Sequence, residues 1–272
     1  MNRNTMRFAL FGNPVGHSLS PLMHGAAFRE MGLDASYRAI RVENAREIPE
    51  EMKKRDITGA SITIPHKTAI MPYLDTISDS AELIGAINTV TREDHRLRGD
   101  NTDWTGLIHA LKEKSDIGGK RVAVLGAGGA ARAAVYGILH EGGIPVVVNR
   151  TVDTGQQLAR EFECDFLPLA EIGTITADCL INTTPVGMFP ETKESPVDKE
   201  ILPHFGCIMD IVYNPLETRL LKDAAAAGCR IISGVAMFVH QGAEQLRIWM
   251  GLEPPTELME QVVLEKLRNE TN

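Results

Sequence analysis

The sequence predicts an α/β protein in two domains, and three features of the chain lead to this prediction. Its 272 residues allow one large or two modest domains, and 43% of the residues are apolar, which is enough to form hydrophobic cores. Beyond residue 120, apolar or β-branched segments alternate with helical ones, as in a parallel sheet with helices on both faces. A cluster of glycines stands between the first of these strands and the helix after it.

Composition and charge exclude several classes of function. With 28 basic against 36 acidic residues the formal charge is -8, which argues against nucleic acid as a partner. The four cysteines lie far apart without C-x-x-C spacing, so we expect buried thiols in a reducing cytoplasm and predict no metal site. Since no segment resembles a signal peptide or a spanning helix, we expect no membrane partner.

Two serines follow the first predicted strand. This strand covers Phe8–Phe11, and Ser18 and Ser20 then stand at the turn into a helix that should end near Met31. Ser20 precedes Pro21 and is typical of an N-cap, which would be a purely structural role. Alternatively, both hydroxyls face a small anionic or polyhydroxyl ligand near the helix N-terminus.

The next candidate is a lysine at the end of a strand. After a strand at Ser36–Val42 and a helix at Glu47–Arg55, a third strand at Gly59–Ile64 is ended by Pro65. Lys67 follows at the carboxyl edge, where α/β proteins place ligand-facing groups. Taken alone, such a residue is more often a solvated surface lysine.

An aspartate also has two interpretations. Ala86–Thr91 and Leu97–Gly99 form a predicted hairpin, which follows a short helix that begins near Asp79. The hairpin leads to Asp103, just before a predicted helix at Trp104–Lys114. By itself, Asp103 is best explained as a cap of that helix.

A glycine-rich turn is the most informative segment. Val122–Leu125 is a predicted buried strand, and Gly126, Gly128 and Ala131 then fill a G-x-G-x-x-A pattern. The first glycine permits the turn, the second lets the backbone approach a pyrophosphate, and the third, small residue packs helix on strand. The helix N-terminus offers N–H groups and a positive dipole end to phosphates. The alternative is a plain strand-turn-helix with glycines for packing.

The next strand indicates which dinucleotide binds. Val146–Val148 ends at Asn149, Arg150 and Thr151, near the place where an NAD-binding fold keeps an acid for the ribose 2′-OH. That acid is missing here. Arg150 instead offers a charged fork suited to a 2′-phosphate, with Asn149 and Thr151 as neutral donors. The sequence therefore favours NADP over NAD.

Later segments continue the alternation of helix and strand. The predicted elements are a helix at Gln156–Phe162, strands at Cys179–Thr183 and Cys207–Tyr213, a helix at Glu217–Ala227, a strand at Arg230–Ser233 and a helix at Val235–Met250. A last helix after Pro255 carries an apolar stripe, which covers either the second domain or the first.

Eight motifs in register resemble the shikimate dehydrogenase family over residues 7 to 265. They are His-Ser-Leu-Ser-Pro, Thr-Ile-Pro-His-Lys, Gly-Ala-Ile-Asn-Thr-Val, Gly-Asp-Asn-Thr-Asp, Gly-Ala-Gly-Gly-Ala-Ala, Asn-Arg-Thr, Val-Tyr-Asn-Pro and Met-Phe-Val-His-Gln-Gly-Ala. The resemblance implies reversible, NADP-linked reduction of 3-dehydroshikimate to shikimate in aromatic amino-acid biosynthesis. It leaves a homodimer open, and the alternative is a quinate/shikimate dehydrogenase with broader substrate use that accepts NAD.

The same resemblance implies a domain organisation. A substrate-binding, catalytic α/β domain would cover residues 1–103 and 240–272. A Rossmann-type domain with a doubly wound parallel sheet would cover residues 104–239 and bind NADP. The C-terminal helix would return to the first domain.

The resemblance also implies the site residues, with Lys67 and Asp103 as the catalytic pair. Negative charge grows on the substrate's C3 oxygen during reduction, and a protonated lysine can stabilise it and supply the proton. Asp103 would hold that amine and the substrate hydroxyl in line. The substrate-binding residues implied are Ser18, Ser20, Thr63, Lys67, Asn88, Asp103, Tyr213 and Gln241. The cofactor-binding residues implied are Asp79, Gly126, Ala127, Gly128, Gly129, Ala130, Asn149, Arg150, Thr151, Ile211 and Gly234.

Two positions depart from the family pattern. Members strict for NADP often have a second basic residue shortly after Asn-Arg-Thr, and Val152–Gly155 contains none. Arg150 alone is therefore expected to discriminate between the cofactors less sharply. Gly25 stands where Asn is common. Both Ser18 and Ser20 are present, which resembles the shikimate type more than the quinate type.

Overall fold

The computed structural model of the protein describes residues 5–271, which belong to two compact units. One unit runs up to Thr102 and includes Gln241–Glu265, and the other comprises Asp103–His240 and the residues from Lys266 onward. Each unit is built on its own sheet, so the predicted α/β class is confirmed. None of the described helices combines the length and the apolar character needed to cross a membrane.

The first unit contains a mixed sheet. Its elements in chain order are β1 (Met6–Gly12), α1 (Ser20–Glu30), β2 (Ala35–Arg41), α2 (Ile48–Lys54), β3 (Gly59–Ile62), β4 (Thr76–Ile77), α3 (Asp79–Ile84), β5 (Thr89–Glu93) and β6 (Arg96–Asp100). The strand order is β2-β1-β3-β5-β6-β4. Strand β1 pairs in parallel with β2 and β3, whereas β5 pairs antiparallel with β3 and β6, which confirms the predicted hairpin.

The second unit contains a parallel sheet. Its elements are α4 (Asp103–Lys112), β7 (Arg121–Leu125), α5 (Gly129–His140), β8 (Ile144–Asn149), α6 (Val152–Glu161), β9 (Asp165–Pro168), β10 (Ala177–Asn182), β11 (Phe205–Asp210), α7 (Arg219–Ala226) and β12 (Arg230–Ile232). The order β12-β11-β10-β7-β8-β9 is the doubly wound arrangement, in which the chain changes direction between β7 and β10. Two further helices, α8 (Gly234–Met250) and α9 (Thr256–Thr271), contribute residues to both units.

Strand β7 demonstrates that both faces of the second sheet are covered. Val122 and Val124 belong to an apolar core that includes residues of α4, α5 and α6. Ala123 and Leu125 alternate with them and belong to another core, which includes residues of α7. This is why the strand reads as a continuous apolar segment rather than an alternating one.

Two short strands escape prediction from the sequence. Strand β4 is only two residues long, and β9 combines an exposed Asp165 with Pro168, so neither carries a periodic apolar signal. The predicted N-cap role of Ser20 is wrong, because Ser20 is the first helical residue and Leu19 takes the cap position. The expected apolar stripe of the last helix is confirmed, since Met259, Val263 and Leu267 are at most 1% exposed.

Helix α8 approaches the first sheet closely because a glycine lies opposite its tryptophan. A Cβ atom at Gly59 would come within 2.6 Å of Trp249 Nε1. The same indole nitrogen donates to Val90 O at 3.2 Å, which fixes the helix against β5. Any larger side chain on β3 at this position would displace α8 and the residues that it carries.

A buried histidine lies beneath the same helix. His24 is fully buried, and its ring stacks on Tyr37 with centroids 4.4 Å apart and planes inclined by 10°. Among the described residues, neither ring nitrogen has a hydrogen-bond partner. Burial lowers the pKa of His24 from 6.5 to about 3, so the folded chain keeps this ring neutral at physiological pH.

We expect His24 to make the protein sensitive to acid. The unfolded chain binds a proton at this residue below pH 6.5, whereas the folded chain does so only near pH 3. Stability is therefore lost as the pH falls through this interval, by up to about 1.4 kcal/mol per pH unit. His24→Phe should reduce this dependence in urea denaturation at pH values from 4 to 7.5. The control is His95→Phe in the exposed hairpin turn, and equal pH dependence of both variants would refute the assignment.

Candidate active site

Four predicted substrate-binding residues of the first unit follow neighbouring parallel strands. Ser18 and Ser20 come after β1, whereas Thr63 and Lys67 come after β3. These two strands are paired in register, with Phe11 opposite Ile62. Their carboxyl ends therefore lie at the same edge of the sheet, which is where ligands bind in open α/β sheets.

The two serines are in direct contact. Ser18 Oγ donates to Ser20 Oγ at 3.1 Å and accepts a hydrogen bond from the Ser20 backbone N–H at 3.2 Å. Because α1 begins at Ser20, both hydroxyls lie at the N-terminus of a helix, where backbone N–H groups and the helix dipole favour an anion. The pair can therefore bind a carboxylate through neutral donors.

Backbone hydrogen bonds hold the turn that carries Lys67. Thr63 N donates to Phe11 O at 2.9 Å, and Thr63 O accepts from His66 N at 2.9 Å. On the other side, Lys67 O accepts from Ile87 N at 2.7 Å. The lysine backbone is thus tied to its own turn and to the segment before β5, and its side chain is half-buried.

Asn88 and Gln241 are brought together although they are far apart in the chain. Asn88 is 2% exposed, and its Nδ2 donates to Gln241 Oε1 at 3.3 Å. Thr102 fixes the amide from the other side, since its backbone N–H donates to Asn88 Oδ1 at 2.7 Å. The Thr102 hydroxyl also donates to Gln241 O at 3.0 Å. The two predicted substrate-binding amides therefore have defined orientations.

A residue that the sequence analysis missed supports this pair from behind. Gln245 is 1% exposed, and its Nε2 donates to Asn88 O at 3.1 Å and to Thr89 Oγ1 at 3.0 Å. Its Oε1 accepts from Ser61 Oγ at 2.7 Å, and that hydroxyl accepts from Tyr37 Oη at 2.6 Å. Gln245 lies one helical turn after Gln241 in α8, and this spacing was the signal that could have identified it.

In the second unit, the glycine turn has the geometry that phosphate binding requires. Gly126 has φ +114°, and a Cβ atom there would come within 2.7 Å of Thr183 Oγ1. A Cβ atom at Gly128 would instead meet open space, so the backbone of this residue is accessible to a ligand. Among the described residues, no side chain caps α5, and its first N–H groups are available to a pyrophosphate.

The loop after β8 is held in shape by its own side chains. Asn149 Nδ2 donates to Thr151 O and to Thr154 Oγ1, both at 2.8 Å. Arg150 between them is exposed. Strands β7 and β8 are paired, with Leu125 opposite Val148. The loop of Arg150, which follows β8, therefore leaves the sheet beside the glycine turn, which follows β7. These residues fit a nucleotide that carries an additional phosphate on its ribose.

The structure offers no other arginine for that phosphate in the helix of the glycine turn. Arg132 forms an ion pair with Glu161 of α6, and its guanidinium lies 5.6 Å from the centre of the Phe162 ring. Those contacts join α5 to α6. Arg150, in contrast, is exposed in the loop after β8.

Other predicted positions meet at the end of β11. A Cβ atom at Gly234 would come within 2.4 Å of Ile211 O, so the start of α8 touches the loop after this strand. Tyr213 in the same loop stacks on Phe238 of α8, with centroids 4.3 Å apart. Thr183 was not predicted, although it follows the neighbouring strand β10 and its hydroxyl donates to Leu125 O at 2.5 Å.

The remaining predicted residues are divided between the units. Lys67 belongs to the first unit, and Asp103, which is 4% exposed, is the first residue of α4 at the start of the second. Asp79 is exposed in the first turn of α3 in the first unit, where its charge favours the helix N-terminus. Between residues 5 and 271, no group of three or more His, Cys, Asp or Glu side chains could hold a metal ion.

Replacement of the supporting glutamine should lower stability. In Gln245→Met, the side-chain volume is nearly kept, but Ser61 Oγ loses its acceptor while Asn88 O and Thr89 Oγ1 lose a donor. Unsatisfied buried groups cost about 1–3 kcal/mol, so the urea midpoint should fall. Gln261→Met on the exposed surface of α9 is the matched control. Equal midpoints for the two variants would refute the importance of this network.

Three family descriptions match successive parts of the chain. "Shikimate dehydrogenase substrate binding domain" matches residues 10–90, "Shikimate / quinate 5-dehydrogenase" matches residues 109–186, and "Shikimate 5'-dehydrogenase C-terminal domain" matches residues 234–264. The matched segments follow the order of the domains in the chain and together include most of the predicted site residues.

Relatives and solved structures extend this similarity to nearly the whole chain. Shikimate dehydrogenase (NADP(+)) of Shouchella clausii is 43% identical over 269 residues, covering 95% of this chain and 98% of its own. The protein of that name from Methanothermobacter thermautotrophicus is 40% identical, with 96% of each chain covered. The crystal structure of the Thermus thermophilus enzyme with NADP(H) and shikimate gives a TM-score of 0.88 at 38% identity, covering 96% of this chain and 99% of that one.

Proposed function

The chain belongs to the shikimate dehydrogenase family, and we propose from this that it catalyses the reversible, NADP-linked reduction of 3-dehydroshikimate to shikimate. The observation that carries the proposal is the direct contact between Asn88 and Gln241, beside a serine pair and a lysine at one sheet edge. Relatives named for NADP(+), and a neighbour crystallised with NADP(H) and shikimate, support the same substrate and cofactor.

The proposal divides the roles between two domains, whose bounds match those of the two compact units except that Asp103, His240 and the residues from Lys266 onward belong to the second unit. We assign the substrate to residues 1–103 and 240–272, and NADP to residues 104–239. The family description of residues 10–90 as a substrate binding domain supports the first assignment. The uncapped N-terminus of α5 and the accessible backbone of Gly128 support the second.

The chemistry follows from the groups that the chain supplies. Bound NADPH provides the hydride. As charge develops on the C3 oxygen of the substrate, Lys67 stabilises it and donates the proton, and in the opposite direction the same amine accepts that proton. Asp103 orients the amine and the reacting hydroxyl. Hydrogen bonds on both sides of its turn fix the lysine backbone, which limits the positions that the amine can reach.

Substrate binding uses neutral groups for the most part. Ser18 and Ser20 receive the carboxylate at the N-terminus of α1, and Asn88 and Gln241 face the ring hydroxyls. Thr63 and Tyr213 complete the proposed set. The fixed orientation of the two amides would distinguish hydroxyl positions, since a misplaced hydroxyl leaves a buried donor or acceptor unpaired.

On the cofactor side, Gly126–Ala130 would bind the pyrophosphate and Asn149–Thr151 the adenosine phosphate. Ile211 and Gly234 would lie beside the nicotinamide half. Asp79 is retained as a proposed cofactor contact. A quinate/shikimate dehydrogenase that uses NAD is not favoured, because the loop after β8 carries Arg150 without an acid. Steady-state kinetics with shikimate and quinate, each with NADP and NAD, tests the choice directly.

The proposed setting is the cytoplasm. The reaction is biosynthetic, and the cysteines among the described residues are free thiols, which suits a reducing compartment. A homodimer remains a prediction.

Lys67→Ala should lower kcat by roughly 10² or more, the usual scale for loss of an acid–base group, with a smaller change in KM for shikimate. Initial rates of NADPH formation at 340 nm measure both parameters. Lys53→Ala, an exposed lysine of α2 in the same unit, is the control and should remain fully active. Near-normal turnover of the Lys67 variant would mean that this amine takes no part in the chemistry.

Arg150→Ala should raise KM for NADP by about tenfold or more and leave KM for NAD little changed, because one charge-assisted hydrogen bond is worth roughly 1.5–3 kcal/mol. The comparison requires saturation curves for both cofactors at fixed shikimate. Arg160→Ala, exposed on α6, serves as the control. An equal loss with the two cofactors would indicate that Arg150 does not read the 2′-phosphate.

A further inference from the structure

A carboxylate is buried at the nucleotide-binding edge of the second unit. Asp210 is the last residue of β11 and is 0% exposed. The part of the chain that the structure describes gives it no ion pair, and such burial of an unpaired acid is rare. The loop after Asp210 carries two proposed ligand contacts, Ile211 and Tyr213, so Asp210 lies directly before this loop.

Three neutral donors surround this carboxylate, each from a different segment. Oδ1 accepts from Asn182 Nδ2 at 2.9 Å, at the end of β10, and from Val212 N at 3.1 Å, in the loop after β11. Oδ2 accepts from Thr218 Oγ1 at 2.7 Å, and Thr218 is the N-cap of α7. One side chain therefore connects the ends of two strands with the beginning of a helix.

The segment held through Asn182 continues to the glycine turn. Asn182 Oδ1 accepts from Thr184 N at 3.0 Å and from Thr184 Oγ1 at 2.7 Å, which shapes the residues after β10. Thr183 in this segment is the residue that a Cβ at Gly126 would meet. Asp210 thus lies between the residues that contact the glycine turn and the loop packed against Gly234.

An ionised acid suits these donors better than any neutral side chain does. The Thr218 hydroxyl donates its only proton to Asp210, and its oxygen accepts a hydrogen bond from Leu221 N at 3.3 Å. A carboxylate can accept all three hydrogen bonds at once. Burial nevertheless raises the pKa of Asp210 from 3.8 to about 6, so stability falls as the pH rises through this interval, and above it the folded chain keeps the charge at that cost in stability. A residue retained at such a cost is a candidate for a functional role.

We propose that Asp210 is a positioning residue for NADP, which sets the loop after β11 and the segment after β10 so that both can receive the nucleotide. This inference rests on the proposed function. Asp210 does not touch the cofactor itself. Its effect is carried by the Val212 amide toward Ile211 and Tyr213, and by Asn182 toward Thr183.

The test is Asp210→Asn, which keeps the shape but cannot accept from Thr218 in the same way. Isothermal titration with NADPH should give a Kd raised about tenfold, and KM for NADP should rise while KM for shikimate stays unchanged. The melting temperature at pH 8 should be equal to or above that of the wild type, since the buried charge is removed. Asp178→Asn is the control, because this exposed aspartate lies near the start of β10, at the opposite edge of the same sheet. This variant should bind NADPH normally.

The outcomes separate the possible failures. The positioning role would be overturned if folded Asp210→Asn bound NADPH with unchanged affinity. It would also be overturned if the loss of NADPH binding equalled the fraction of the variant that is unfolded. If this variant does not fold, Thr218→Val removes one of the three donors and should still weaken NADPH binding severalfold, and normal binding would overturn the proposal. A wild-type protein that binds NADPH but does not oxidise shikimate would instead refute the proposed reaction and leave this inference standing.

Discussion

Parallel pairing of neighbouring strands is the constraint on which both halves of the proposed site depend. In the first unit, β1 and β3 end side by side, and in the second unit β8, β7, β10 and β11 do so. Where a strand ends, the chain leaves the sheet, and the residues that follow lie at the edge where ligands bind. Because all these strands run in one direction within each sheet, the residues after them accumulate at one edge.

Buried hydrogen-bond networks support the same edges, in addition to the apolar cores. In the first unit, Gln245 connects Ser61, Thr89 and Asn88. In the second, Asp210 connects Asn182 and Thr218. Buried polar groups cost free energy unless each finds a partner, and a network whose members are satisfied specifies one geometry. A ligand that must be read hydroxyl by hydroxyl benefits from such directional contacts, which apolar packing does not provide.

Cofactor selection has a different physical basis. Arg150 is exposed, so its interaction with a phosphate is weakened by water and salt. The loop around it compensates by being stiff, since Asn149 binds both Thr151 and Thr154. Arg132, the other arginine near the glycine turn, is already paired with Glu161. The preference for NADP that we propose therefore rests on one charge presented by a fixed loop.

The sequence alone determined the fold class, the glycine turn and the hairpin before Asp103, because these features are encoded by neighbouring residues through apolar periodicity and turn chemistry. Most of the proposed site residues came instead from the resemblance of its motifs to those of a known family. Only the tertiary structure revealed which groups Gln245 supports, because Ser61 and Gln245 are 184 positions apart and nothing in the sequence links residues so distant in the chain. Asp210 lay inside the predicted strand Cys207–Tyr213 without any assigned role, because Asn182 and Thr218 reach its carboxylate only once the strands and the helix N-terminus have come together.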